Sequence, residues 1–241
     1  MFLDTSDVVK ENLKHIAASN PAQANIMMVQ LAVDALKACA YTASFTTDLQ
    51  INLCRLAVRL INSAGAAGDS ALAGYYQPAI AGLRDILEVA LLLDLFQRDN
   101  TQFIRWIESS EKERKSQFKP IKVRQMLEER DSSTVEYRRA AYNLYSGHGT
   151  HVDPGRHHSI SPNDLTIVGP FPDEPRIIAI SYDIARHMAA ATASCMTIAV
   201  RQRVKNEDAV ALMNAYYSFW YAVIRWTEHD SPILNLRVSA A

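Results

Sequence analysis

Residues 137–158 read Tyr-Arg-Arg-Ala-Ala-Tyr-Asn-Leu-Tyr-Ser-Gly-His-Gly-Thr-His-Val-Asp-Pro-Gly-Arg-His-His, and four of the chain's seven histidines fall within them. Arg138, Tyr142, Tyr145 and Ser146 recur at helical spacing, and His148 follows just past the turn. A helix end of this kind offers His148 as general acid or base, with several donors around it. Gly147 and Gly149 can close the helix and let the backbone approach another group. The blander reading is two core tyrosines and a capping histidine.

Arg84 and Glu88 form the second candidate. They lie four apart, within Arg-Asp-Ile-Leu-Glu-Val-Ala-Leu-Leu-Leu. A carboxylate among so many apolar neighbours must be paired or shifted in pKa. Such a pair either marks a site or orients the bundle as a structural ion pair.

His148, His151, Asp153, His157 and His158 supply ligand types for zinc or iron. No helical His-x-x-x-His or His-Glu-x-x-His accompanies them, so a solvated, histidine-rich loop is expected, with no metal and no cofactor. Ser146 lacks a Gly-x-Ser-x-Gly elbow, which argues against a hydrolase. There is no Gly-x-Gly-x-x-Gly or Walker-type loop. The run Lys112, Arg114, Lys115, Lys119, Lys122 and Arg124 reads either as a solvated face or as a phosphate contact.

These groups need a scaffold, and the sequence predicts long helices. Asp4, Thr5 and Ser6 cap a first helix that ends near Asn20-Pro21, and a second runs to about Tyr41. Ser44 or Thr46 starts a third, with Leu49, Leu53, Leu56 and Leu60 as its stripe and Gly65–Gly68 as its end. Asp69 or Ser70 opens a fourth, which Pro78 kinks or restarts. From there to Gln97 it is apolar nearly all round, which makes it central.

Asn100 or Thr101 caps a fifth helix, which Pro120 breaks, and a short helix follows to about Glu129. Asp131-Ser-Ser-Thr caps the helix that runs into the histidine stretch, and residues 148–175 read as irregular. Within them Leu165-Thr-Ile-Val is read as a short strand or an extended run. Pro175 starts a helix to about Val204, whose alanines let a neighbour approach closely, and a last helix spans Asp208 to Glu228. Its aromatic stripes read as core or as a helix–helix interface.

Composition sets the bounds. The 241 residues carry 49% hydrophobic residues, only 8 glycines and no Gly/Ser/Pro-rich linker, so one all-α domain is expected. Its parts are N-terminal helices over 1–68, a core over 69–230 and a tail over 231–241. The net charge of −1 gives no global attraction to nucleic acid or to a membrane surface. Three cysteines far apart in sequence fit a reducing, cytoplasmic setting. The N-terminus has no signal-peptide pattern. The most apolar window, Ile177–Val200, holds Asp183, Arg186 and His187, so it reads as a buried core helix and not as a membrane span.

Two stretches together, Gly82-Leu-Arg-Asp-Ile-Leu-Glu-Val-Ala-Leu-Leu-Leu and Tyr142-Asn-Leu-Tyr-Ser-Gly-His-Gly-Thr-His, resemble the HEPN-like helical proteins of prokaryotes. The nearest likeness is to uncharacterised relatives of abortive-infection proteins, over roughly residues 70–230. The resemblance implies a dimer that handles RNA or a nucleotide in a defence or toxin–antitoxin setting, and a metal-independent ribonuclease where activity is kept. On the enzyme reading, His148 acts as acid or base, Arg84 or Arg138 binds phosphate, and Glu88 holds the arginine. Tyr142, Ser146, Tyr145 and His151 would complete the site. The family's Arg followed four to six residues later by His is absent, so a non-catalytic module that binds a small ligand or a partner protein stands beside the enzyme.

Overall fold

The computed structural model describes residues 3–41, 46–131, 135–149, 167, 169–202 and 208–227. It is all-α, and no strand occurs among the described residues. Ten helices follow in order among them: α1 (Ser6–Ala18), α2 (Asn20–Tyr41), α3 (Asp48–Leu72), α4 (Tyr76–Arg98), α5 (Asn100–Glu108), α6 (Glu111–Gln117), α7 (Pro120–Arg130), α8 (Val135–Gly149), α9 (Glu174–Gln202) and α10 (Asp208–Thr227).

Helices α4 and α9 form the centre. Helix α9 packs on α4, α2 and α3, while α4 also carries α8 and α7. Seventeen of the 29 residues of α9 are buried, and from Ala185 onward many are Ala or Ser, which lets several neighbours close around one rod. Helix α4 buries Leu83, Ile86, Leu87, Leu93 and Phe96, as its nearly continuous apolar sequence requires. Each such side chain contributes about 1.5–3 kcal/mol on burial. The α3–α4 crossing is tight: a Cβ on Gly82 would lie 2.8 Å from the Ala67 Cβ.

The third helix does not stop at Gly65–Gly68, and neither Asp69 nor Ser70 opens a new one. Ala64, Ala67 and Ala71 continue the buried stripe of α3 to Leu72. The stop is Gly74, at φ 80°. Its N–H bonds the Ala71 carbonyl (3.0 Å), and the Tyr75 N–H bonds the Ser70 carbonyl (2.8 Å). This left-handed closure satisfies carbonyls that the helix end would leave open. Asn12, fully buried on α1, adds a side-chain cap: its amide donates to the Leu72 carbonyl (3.0 Å). Pro78 falls in the first turn of α4, where a missing donor costs nothing.

Other boundaries shift by a residue or split. Thr47 caps α3, accepting from the Gln50 N–H, in place of Ser44 or Thr46. Asp99 caps α5, in place of Asn100 or Thr101. The charged stretch breaks at Ser110, whose side chain and Glu113 form a reciprocal cap that opens α6. Pro120 then opens α7 instead of ending a longer helix. Of Leu165–Val168 only Ile167 is described, and it is not in a strand.

Candidate functional site

The first sequence motif meets the second at Tyr142. Arg84 on α4 donates to the Glu88 carboxylate (Nε–Oε1 2.9 Å) and to the Tyr142 hydroxyl on α8 (Nη2–Oη 3.0 Å). Arg84 and Arg124, from α7, each hold a guanidinium 5.3 Å from the Tyr142 ring centroid. Burial acts to lower the pKa of Arg84, but the bond to Glu88 and the field of Tyr142 outweigh it, so the group is raised and stays charged. Arg124, which the sequence placed in a basic run that is either a solvated face or a phosphate contact, is only 9% exposed and pairs with Glu128 at 3.3 Å.

Arg138 goes elsewhere. Its Nη2 donates to Asp94 (2.9 Å) and Asp131 (3.0 Å), in a cluster completed by Arg98 and Arg130. That network ties α8 to α4 and to the end of α7. Hydrogen bonds from Arg130, then from Arg138, hold the Asp131 carboxyl well below the usual carboxylate range, against the opposing effect of burial.

Tyr145 and His148 form a third group. Both line a cleft of about 260 Å³ between α4, α8 and α9, with Tyr76, Ile80, Leu83, Leu144, Arg176, Ala179, Ile180 and Asp183. Tyr145 is buried, and its hydroxyl lies 2.8 Å from Nε2 of buried His187. Asp183 is 5% exposed. Arg176 is bonded to Asp173 and packs over the Tyr76 and Phe171 rings. Burial pushes the Tyr76 hydroxyl up, partly offset by its bond with Asn12, so it stays protonated at neutral pH. Ser146 is buried beside Tyr145, and His148 is half-buried. Gly149 passes so close to α4 that a Cβ there would meet the Ala81 amide nitrogen at 2.8 Å.

The predicted residues are thus divided among three places. Arg84, Glu88 and Tyr142 meet in one, Arg138 joins a second, and Tyr145 and His148 open on a third. His151 lies outside the described residues, as does the rest of the histidine-rich loop beyond Gly149. Asp183, His187, Arg176 and Tyr76 were missed as site residues. The signal was available: Arg176, Ile180, Asp183 and His187 share one face of an otherwise apolar helix.

The three cysteines, separated in sequence, come together in space. Cys39 on α2, Cys54 on α3 and Cys195 on α9 line a void of about 10 Å³ with Gln50 and Gln202. None of the three is joined in a disulfide, and Cys39 and Cys195 are buried. Among the described residues no cluster of His, Cys, Asp and Glu is placed to hold a metal ion, and no helix is long and apolar enough to cross a membrane. No family model matches the chain, and neither does any curated protein or any solved structure.

Proposed function

We propose that this chain is a HEPN-like helical protein that takes up a nucleotide, free or at the end of an RNA strand, in the cleft between α4, α8 and α9. One observation carries the reading: a cation, aromatic side chains and a buried carboxylate line a single cleft. Seven residues of α9 set Arg176 and Asp183 about 10 Å apart along the axis, the span from a phosphate to the far edge of its base. Apolar walls from Ile80, Leu83 and Ile180, with Tyr76 and Tyr145, suit a flat heterocycle. Asp183 can accept from ring and exocyclic N–H groups, and Arg176 can bind phosphate. His148 at the cleft wall is the group available for proton transfer if a phosphodiester is cleaved.

Binding is the first test. Purified protein is titrated with nucleoside monophosphates and with short single-stranded RNA. Affinity for one of them should fall at least about tenfold in Asp183→Asn and in Arg176→Ala. No binding to any of them sinks the reading. Incubation with total RNA separates activity from binding: cleavage by wild type that is lost in His148→Ala marks a ribonuclease.

A second reading has its own support. Arg84, Glu88 and Tyr142 bond to one another instead of lining the cleft, as structural groups do. This favours a non-catalytic module in which the cleft binds a small ligand and the ion pair fixes α8 on α4. Binding without RNA cleavage, unaffected by His148→Ala, is its signature.

A further inference from the structure

The small void between α2, α3 and α9 gathers more reactive groups than packing needs. Cys39, Cys54 and Cys195 line it together with Gln50 and Gln202. Each thiol comes from a different helix, and the three helices pack on one another in every pairing. Cys39 and Cys195 are enclosed, at 6% and 0% exposure, while Cys54 is half-buried and meets solvent. The Gln202 amide is a second, independent observation. Its oxygen and its nitrogen are both buried, and neither has a hydrogen-bond partner among the described residues. A buried amide of this kind is costly unless some group bonds it. The void, at about 10 Å³, is the size of a single oxygen-sized atom.

We propose that this void is an oxidation site, at which hydrogen peroxide converts Cys54 to a sulfenic acid and then to a disulfide with one of the two enclosed thiols. A thiol open to solvent, with others sharing its pocket, is the arrangement of an oxidisable cysteine and its resolving partner. In the first step the Cys54 thiolate attacks one peroxide oxygen. The S–O bond forms, the O–O bond breaks, and hydroxide leaves and is protonated to water. The sulfur is oxidised by two electrons and the peroxide is reduced by two. The oxygen now on sulfur is the atom that the void fits. Gln202 Nε2 can donate to it, and Oε1 can accept its proton. In the second step the sulfur of Cys39 or Cys195 attacks the Cys54 sulfur. The S–S bond forms, the S–O bond breaks, and the departing hydroxide takes the proton of the attacking thiol and leaves as water. In a reducing compartment the bridge lasts only while oxidant is present, so it works as a reversible mark. The inference stands apart from the cleft and from what it binds.

Mass spectrometry of the full, folded chain after treatment with hydrogen peroxide tests it. Wild type should lose two hydrogens within one chain and regain them with dithiothreitol. Trypsin identifies the partner, because Cys39 and Cys54 fall in one peptide, residues 38–55, and Cys195 in another, residues 187–201. A loop within the first peptide marks Cys39, and a link between the two marks Cys195; either supports the proposal. Cys54→Ser should abolish the bridge. Gln202→Leu keeps the bulk but removes both amide groups, and should slow bridge formation by about tenfold. The wild-type result decides alone if a variant fails to fold. Unchanged cysteines, an oxygen adduct that never becomes a bridge, or a bridge between two chains overturns the proposal. So does a bridge that still forms in Cys54→Ser. A Gln202→Leu rate equal to wild type overturns the assignment of the oxygen to this void, which would then be a packing gap holding one water.

Discussion

The Tyr145 hydroxyl and His187 Nε2 stand 2.8 Å apart, with the two rings nearly perpendicular, and so join the end of α8 to the middle of α9. Both groups are almost fully buried, where water cannot replace the bond. Tyr145→Phe should therefore destabilise the protein by about 1–3 kcal/mol. His187→Ala should cost a similar amount, and the double variant less than the sum, with a coupling of about 1 kcal/mol. Urea denaturation of the four proteins measures it. Strict additivity would mean that the bond carries no weight.

Tyr142 gives a different pattern, because two guanidiniums approach its ring. Tyr142→Phe loses the bond from Arg84 but keeps the ring, and should cost about 1 kcal/mol or less. Tyr142→Ala removes the surface on which both arginines rest and should cost about 3 kcal/mol. Equal losses in thermal denaturation would show that the hydroxyl, not the ring, holds the group together.

Asp131 predicts a pH dependence. Its folded-state pKa is depressed, so its contribution is present above the unfolded value of about 3.9 and is lost as pH falls below that value. Asp131→Asn should lower the Tm at pH 7. The gap from wild type should narrow below about pH 4, as the carboxyl protonates in the unfolded chain while the native one stays ionised. A Tm series for both proteins between neutral and acid pH checks this, and a gap that stays constant refutes it.

Two glycines on one stretch of chain should respond with opposite sign. Gly74 sits at φ 80°, and a Cβ there would lie 2.6 Å from the Phe171 carbonyl oxygen. Gly74→Ala should cost about 2 kcal/mol or more, from left-handed strain and from the clash. Gly65 is inside α3 with open space around it, so Gly65→Ala should stabilise by about 0.5–1 kcal/mol. Differential scanning calorimetry distinguishes the two directly.

Most helices were legible because their apolar residues recur at three and four. The stripe of Leu53, Leu56 and Leu60, and the run from Leu83 to Phe96, needed nothing more. The end of α3 was not legible. Gly65 and Gly68 are the commoner stop signal, but the stripe passes through them as Ala64, Ala67 and Ala71, and Gly74 closes the helix with help from Asn12, far away in sequence. Arg84, half-buried beside the apolar run of α4, finds its partners in Glu88 and Tyr142, of which Glu88 was legible from the four-residue spacing. The placement of Arg138 was not legible, since Asp131 read as part of a helix cap and Asp94 lies 44 residues away in the chain. Asp183 and His187 were seen only as obstacles to a membrane span, although their four-residue spacing on α9 already set them on one face.

The three thiols from α2, α3 and α9 have a practical consequence. Cys54 is partly open to solvent, whereas Cys195 is fully enclosed. An alkylating reagent reaches Cys195 only in moments when those three helices part. Its slow labelling beside Cys54 therefore acts as a gauge built into the chain, reading how far the molecule's innermost layer comes apart at rest.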